Sequence, residues 1–520
     1  MKKSLVAVSV IVVLGAAWTG ASWYTGKQLE DNMGAAIDAA NAQIQAHYPN
    51  SGAKVVYQDY QRGLFSSHVR FVVQPSGNST ENLLKPGEEI SLIETIDHGP
   101  FPLAQLKKFN LIPSAASVHS ELENTPTVKN LFDLTQGKSP VSADTRVGYS
   151  GDTASVINVL PLSYEKNNSK LEFAGGTINL DVANEMKKVN IDTKIGNLAF
   201  TSPNQLGQLE KVAISGINVK SETHLGQSQL YIGDGDLSTD NINVNIDGKD
   251  AAQLVGMKVH SNFNEEQQNL KGQLDYSVDA LKIQGADFGS GKLTVKLDKL
   301  NEQALKQFTD TYNQQAMQLM QQADKLTPEI YQQQAVALLV SNLPILLKGS
   351  PSITIDPLSW KNSKGESTFT LKLDLKDPAA GNGQAQTEDQ LISQLVNNVD
   401  AKLTIPLDMA TEMTTQTAKV EGYSGDDAEK LAKQQVQGLA AMGQMFKITT
   451  LQDNAITSSF HYADNQVDLN GQKMTLQQFA GLFGVFGGPQ IPAENAPAQP
   501  ETQAQPDAPM PPVVPAQPAQ

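Results

Sequence analysis

The sequence predicts an α+β protein dominated by β-structure. It has a single N-terminal transmembrane helix, a long antiparallel amphipathic sheet or sheets with interspersed helices, and a disordered proline-rich tail. Three observations carry this. No charge occurs from Ser4 to Gly26. Between about Thr145 and Leu300 apolar and polar residues alternate again and again. After Gly487 the composition collapses to Pro, Ala and Gln, with about ten of the chain's 26 prolines.

The uncharged run is about 23 residues, or about 34 Å at 1.5 Å each, close to a ~30 Å hydrocarbon core. Lys2 and Lys3 precede it, which favours a cytoplasmic N-terminus. Trp18, Trp23 and Tyr24 stand at its far end, where an aromatic belt meets the outer headgroups. These five residues are the expected membrane-anchor set. A cleaved signal is the alternative, but Thr19-Gly20-Ala21 is an imperfect cleavage site. Either reading exports the rest of the chain.

After the anchor (1–26), a stalk helix with Leu29, Met33, Ile37 and Ile44 at helical spacing opens a β-rich periplasmic domain over 27–300. "AKVVYQDYQRGLFSSHVRFVV" reads as two strands meeting at Arg62-Gly63, and "HGPFPLAQL" as a loop entering a short helix. Strand faces follow at Val189/Ile191/Ile195, Ile242/Val244/Ile246, Leu274/Tyr276/Val278 and Leu293/Val295/Leu297. Gly196-Asn197, Asp247-Gly248 and Gly289-Ser290-Gly291 read as turns. Residues 301–350 switch to helical period, with Leu305, Phe308, Tyr312 and Leu319 on one face, then Thr327 as N-cap and Pro328 at N1. Within it "AVALLVSNLPILL" (Ala335–Leu347) is too short to span and reads as buried or interfacial. An α+β domain is expected over 351–486: strands in "SITIDPLSW", "STFTLKLDLKD" and "AKLTIPLDM", a helix from about Asp426, a type I′ hairpin at Asn470-Gly471, and a capping box of Thr475 and Gln478. The tail, 487–520, cannot bury a core.

Composition excludes several functions. The 520 residues carry a net charge of −16 with no basic block, so nucleic acid is not an expected partner. Cysteine is absent, which removes disulfides, thiolate metal sites and cysteine nucleophiles. "GADFGSGKL" (Gly285–Leu293) resembles a phosphate loop. It has Ala286 and Leu293 where glycine and a hydroxyl are needed, and it runs into a strand. Asp234, Asp236, Ser238 and Asp240 alternate like calcium ligands, but Thr239 and Asn245 break that pattern, so a polar turn is expected. The seven histidines stand singly. Asp97-His98 is the one suggestive polar pair, either orienting a proton transfer beside a serine or capping backbone. No catalytic residue, metal or cofactor is expected.

"YQRGLFSS", "DHGPFPLAQLKKFNLIPS", "GYSGD", "PLSWKNSKGES" and "DAKLTIPLDMATEM" together resemble the YdgA family of bacterial inner-membrane proteins, in the same order, from the anchor to about Gly481. The resemblance implies an inner-membrane protein of unknown function with a periplasmic body, reported as a homodimer. Its strand pattern is loosely similar to AsmA-like envelope proteins that handle phospholipid. The expected function is therefore non-enzymatic: envelope maintenance through a phospholipid or envelope protein bound on an apolar β surface. The alternatives are a purely structural homodimeric scaffold and a periplasmic hydrolase built on Asp97/His98.

Overall fold

The computed structural model describes residues 2–47, 51–77, 84–183, 186–204, 206–322, 326–377 and 388–484. The proline-rich tail lies outside them. The chain divides into two units, Met1–Leu476 and Gln477–Gln520.

The first unit opens with one unbroken helix, α1 (Lys2–His47). Then come β1 (Ala53–Arg62), β2 (Ser66–Pro75), β3 (Ile90–His98), α2 (Leu103–Lys107), β4 (Ala116–Leu122), α3 (Lys129–Leu134) and β5 (Val141–Val147). Four long strands follow, each broken midway into two: β6 (Thr153–Val159) with β7 (Leu162–Lys166), β8 (Ser169–Phe173) with β9 (Gly176–Ala183), β10 (Lys188–Ile195) with β11 (Leu198–Pro203), and β12 (Leu209–Ser215) with β13 (Ile217–Leu225). The next four are the longest: β14 (Tyr231–Ile246), β15 (Lys249–Glu266), β16 (Asn269–Ile283) and β17 (Ala286–Asn301).

A helical excursion of α4 (Glu302–Gln321), α5 (Pro328–Asn342) and a 3₁₀ segment (Leu343–Leu347) leads to β18 (Ser352–Asn362) and β19 (Gly365–Leu375). After α6 (Glu388–Leu395) come β20 (Val396–Pro406), α7 (Leu407–Val420) and α8 (Gly425–Met445). β21 (Thr450–Gln452), β22 (Ala455–Ala463), β23 (Gln466–Leu469) and β24 (Gln472–Thr475) end the sheet, and α9 (Leu476–Gly484) follows.

All 24 described strands belong to one antiparallel sheet. Its topology is a meander: taking each broken strand as one, every strand pairs with the next along the chain. β14 is long enough to pair β13 with its first half and β12 with its second. The departure is at β20, which pairs β22 across α7, α8 and β21.

The breaks line up as a crease. Leu160-Pro161, Ala174-Gly175, Gly196-Asn197 and Gly216 separate the half-strands. Two strands further, Gly256 takes the same left-handed conformation as Gly216, with φ +65° at both. A side chain on Gly216 would overlap the Asp240 carboxylate, and one on Gly256 that of Asp279. Aligned glycine irregularities of this kind bend a sheet without ending it.

Several sequence expectations need correcting. Gly289-Ser290-Gly291 is not a turn. It lies inside β17, whose actual turn is Gln284-Gly285, and Gly291 leaves room for the Trp360 ring of β18. Asp234–Asp240 is not a loop but the middle of β14, so its carboxylates spread along a strand instead of converging. "AVALLVSNLPILL" is not buried: Val336, Leu339, Val340 and Leu343 are all exposed. The strand expected in "AKLTIPLDM" stops at Pro406, and α7, which the sequence pattern does not predict, starts at Leu407. The Asn470-Gly471 hairpin and the Thr327 cap stand as expected, with φ of +54° and +81° at the turn and the Thr327 hydroxyl accepting from Ile330 N.

Candidate functional site

Two features of the first unit deserve a functional reading, and they share one face of the sheet. The first is the seat of α1. The stripe Trp18, Ser22, Gly26, Leu29, Met33, Ile37, Asn41 and Ile44 recurs every three or four residues, so it forms a single helical face. It does not rise free as a stalk. Met33 packs into a buried cluster with Val69, Ile96 and Ala116. Further along, the Asn41 side chain both donates to and accepts from the Val55 backbone, at 2.8 and 2.7 Å.

At the other end, the expected belt residues meet protein. Trp18 stacks on Phe65 with centroids 4.9 Å apart, and its Nε1 donates to the Phe101 carbonyl at 3.1 Å. Trp23 lies under the Lys27 ammonium and the Arg62 guanidinium, and Arg62 also pairs with Glu30 at 2.8 Å. Tyr24 is exposed, and its hydroxyl accepts from Gln28. Lys2 and Lys3 lie in the first turn of α1.

Ser22 and Gly26 mark the closest approach. Gly26 faces the His98 ring so tightly that a methyl there would overlap it. His98, the last residue of β3, is 2 % exposed, and Ser67 beside it is 0 %. His98 Nε2 lies 2.8 Å from the Ser67 hydroxyl, which in turn contacts Tyr60 OH at 3.1 Å. The structure thus brings a serine to the sequence-predicted histidine. It does not assemble a triad. The Asp97 carboxylate turns away and accepts from Ala104 N at 2.8 Å, capping α2 as the alternative reading expected. His98 Nδ1 instead faces the Leu64 carbonyl at 3.4 Å. Burial pushes the His98 pKa down, and the Leu64 carbonyl and Asp97 only partly oppose this. A neutral imidazole enclosed on every side is a packing and hydrogen-bonding group here, because no substrate atom reaches it. Sequence reasoning could not have found Ser67, which is 31 residues away.

The second feature is the open continuation of that face. Directly opposed residues of antiparallel strands point to the same side, so the registers trace rows across the sheet. One row runs Ile178, Thr193, Val219, Leu237, Val259, Tyr276, then Leu293, Leu358, Phe369 and Leu403. The next runs Leu274, Val295, Ile355, Leu371, Ala401 and Phe460. Followed back, this second row passes Ser261, Gly235, Ser221, Ile191, Leu180, Ser155 and Thr145 before it reaches Val118 and Ile96, against which Met33 is seated. The start of the face, at β1 to β4, is closed by α1. From β9 to β20 the apolar members of both rows are half-buried or exposed, and none is fully buried. Nine strand spacings of ~4.8 Å make this track about 43 Å long.

The reverse face is polar. His461 Nδ1 meets Asp400 at 2.6 Å, and Asp275 accepts from Thr294 and Gln273. Asn398 and His461 hold the Asp400 carboxyl below its ordinary range, as Thr294 and Gln273 do for Asp275. A cavity of about 580 Å³ opens between β7, β8, β11, β12 and β14, lined by Leu134, Phe173, Leu198 and Ala213 with Glu172 and Lys211. Among the described residues, no group of three or more His, Asp or Glu side chains could hold a metal ion. Residues 330–347 are, among the described residues, a helical stretch apolar and long enough to cross a membrane.

A model of the family "Bacterial protein of unknown function (DUF945)" matches residues 1–477. Protein YdgA of Escherichia coli K12 is 44 % identical over 503 residues, covering 96 % of this chain and 99 % of that protein. The uncharacterized protein YihF of the same organism is 27 % identical over 92 % of this chain and 98 % of its own length. An uncharacterized protein of Haemophilus influenzae is 27 % identical over 35 % of this chain and 48 % of its own. No solved structure matches. The chain therefore belongs to the DUF945 family of bacterial proteins of unknown function, alongside YdgA.

Proposed function

We propose that this is a non-enzymatic protein, anchored in the inner membrane by the start of α1, whose periplasmic sheet binds phospholipid acyl chains along its open apolar face. The observation that supports it is the continuity of the half-buried rows with the face on which α1 is seated. An apolar track left uncovered on a monomer marks a binding surface. A track that begins beside a membrane helix has its ligand at hand.

Acyl chains suit the track because it is long and narrow and, from β16 to β20, lined by apolar side chains. Single apolar contacts add affinity in proportion to the area they cover. Native mass spectrometry of the full-length protein extracted in mild detergent tests this. Phospholipid retained by the wild type and lost on Leu274→Glu or Leu371→Glu is the expected result. Retention unchanged by both substitutions would sink the reading.

A further inference from the structure

The docking of Trp18 shortens what α1 has left for the bilayer. Among the described side chains of α1, Trp18 is the first seated on the sheet, against Phe65 and Phe101. The helix before it, Lys2–Ala17, measures about 24 Å at 1.5 Å per residue. That is about 6 Å less than a ~30 Å hydrocarbon core. A short span is accommodated by thinning the bilayer or by drawing flanking protein into the interface.

The protein at that edge is built for the second solution. The β1–β2 turn and the loop between β3 and β4 leave the sheet at the edge Trp18 touches. That loop is closed by Gly99 N donating to Ala115 O and Ser114 N to Pro100 O. At its far side Phe109 is 93 % exposed, Leu111 69 % and Ile112 57 %, and Leu64 of the neighbouring turn is exposed as well. Phe109 holds φ +56° as the left-handed residue that ends α2, where Phe109 N donates to Leu106 O and Asn110 N to Gln105 O, and this turn leaves its ring in solvent. From His98 to Ser120 there is no acidic residue, in a chain of 55 acids and 39 bases. Lys107 ends α2 and Lys108 pairs with Asp144 at 2.9 Å.

We propose that the 99–115 loop docks on the bilayer that α1 enters, with Phe109, Leu111 and Ile112 in the headgroup–acyl boundary and Lys107 at lipid phosphate. This rests on the anchor reading above. Insertion of an apolar group ~5–10 Å into that boundary matches the missing span. The loop then fixes the height and tilt of the sheet, so that the open track starts at the lipid surface.

The absence of native cysteine makes the test direct. Full-length Phe109→Cys, Leu111→Cys, Leu206→Cys and Val8→Cys variants are labelled with an environment-sensitive fluorophore. They are reconstituted in vesicles of phosphatidylethanolamine and phosphatidylglycerol that carry nitroxide lipids. Leu206 is exposed in the β11–β12 turn, which the meander places on the opposite edge. Quenching at 109 and 111 by shallow nitroxides about threefold or more above that at 206 is expected, as for an interfacial segment. Equal quenching at 109, 111 and 206 overturns the docking, even where deep nitroxides quench Val8 and the anchor stands. Loop quenching without quenching at Val8 supports the docking and removes the anchor instead.

Discussion

The two ends of the apolar face are built from the same kind of residue and finished differently. Beneath α1, Val69 and Ile96 are 2 % and 3 % exposed, because Met33 and Leu29 cover them. At β16–β20, Leu274, Val295, Ile355 and Leu371 have the same alternation and are only half-buried, although α7 packs against β17 to β20. The sheet register links the two ends, and they differ in how closely each is covered. A closed end contributes stability. An open end keeps apolar area available for something else.

The sharpest way to break this comparison is to unseat the cover. Gly26→Leu drives a side chain into His98 and should lower the stability of the α1–β3 region by about 3 kcal/mol. Hydrogen exchange of the β2 and β3 amides reads this. Gly34→Ala, which meets open space, should instead gain about 0.5–1 kcal/mol of helix propensity. Similar protection in Gly26→Leu and wild type would show that α1 is not held at His98.

A paired truncation comes next in size. Met33→Ala should cost about 2–4 kcal/mol in urea unfolding, as expected for a closed core. Leu371→Ala should cost about 1 kcal/mol, since its side chain gives up less buried area. Equal costs would mean that the face is closed throughout.

Protonation probes the closed end more gently. The folded-state pKa of His98 lies below its ordinary 6.5, so the unfolded chain takes up that proton first as the pH falls. Stability should therefore decline as the pH drops through about 6.5 and below. His119 has the opposite sign. Asp144 and Glu121 raise its pKa, so its contribution is present at low pH and lost as the pH rises through the raised value. The difference in melting temperature between wild type and His98→Asn, followed from pH 7.5 to 5.5, isolates the first effect and should shrink on acidification. The smallest effect belongs to the polar face: His461→Ala, which opens the exposed pair with Asp400, should change stability by only about 0.5 kcal/mol.

Strands were legible wherever one face is wet. Val189/Ile191, Ile242/Val244, Leu274/Tyr276 and Leu293/Val295 each sit in the strand their alternation predicts. Local chemistry also sufficed at Asn470-Gly471 and at Thr327-Pro328. What failed was context. Glycines inside β17 mark a close approach to β18, and the residues alone do not separate that from a turn. The uncharged run from Ser4 to Gly26, its length and its flanking residues predict one membrane helix, yet Ser22 and Gly26 near its end are docked on protein. The signal that they are docked is their spacing from Trp18, Leu29 and Met33, which together make one stripe. The Ser67–His98 contact depends on a register between β2 and β3 that no local pattern encodes.

The meander has a consequence for how the molecule comes into being. Because nearly every strand hydrogen-bonds to its successor, each hairpin can add to an edge already formed, with little loop to close. A chain threaded N-terminus first across a membrane would have α1 and β1–β3 in place before the later strands emerge. The seat of α1 at His98 then becomes a template, and the sheet grows one hairpin at a time until β20, which has to wait for β22.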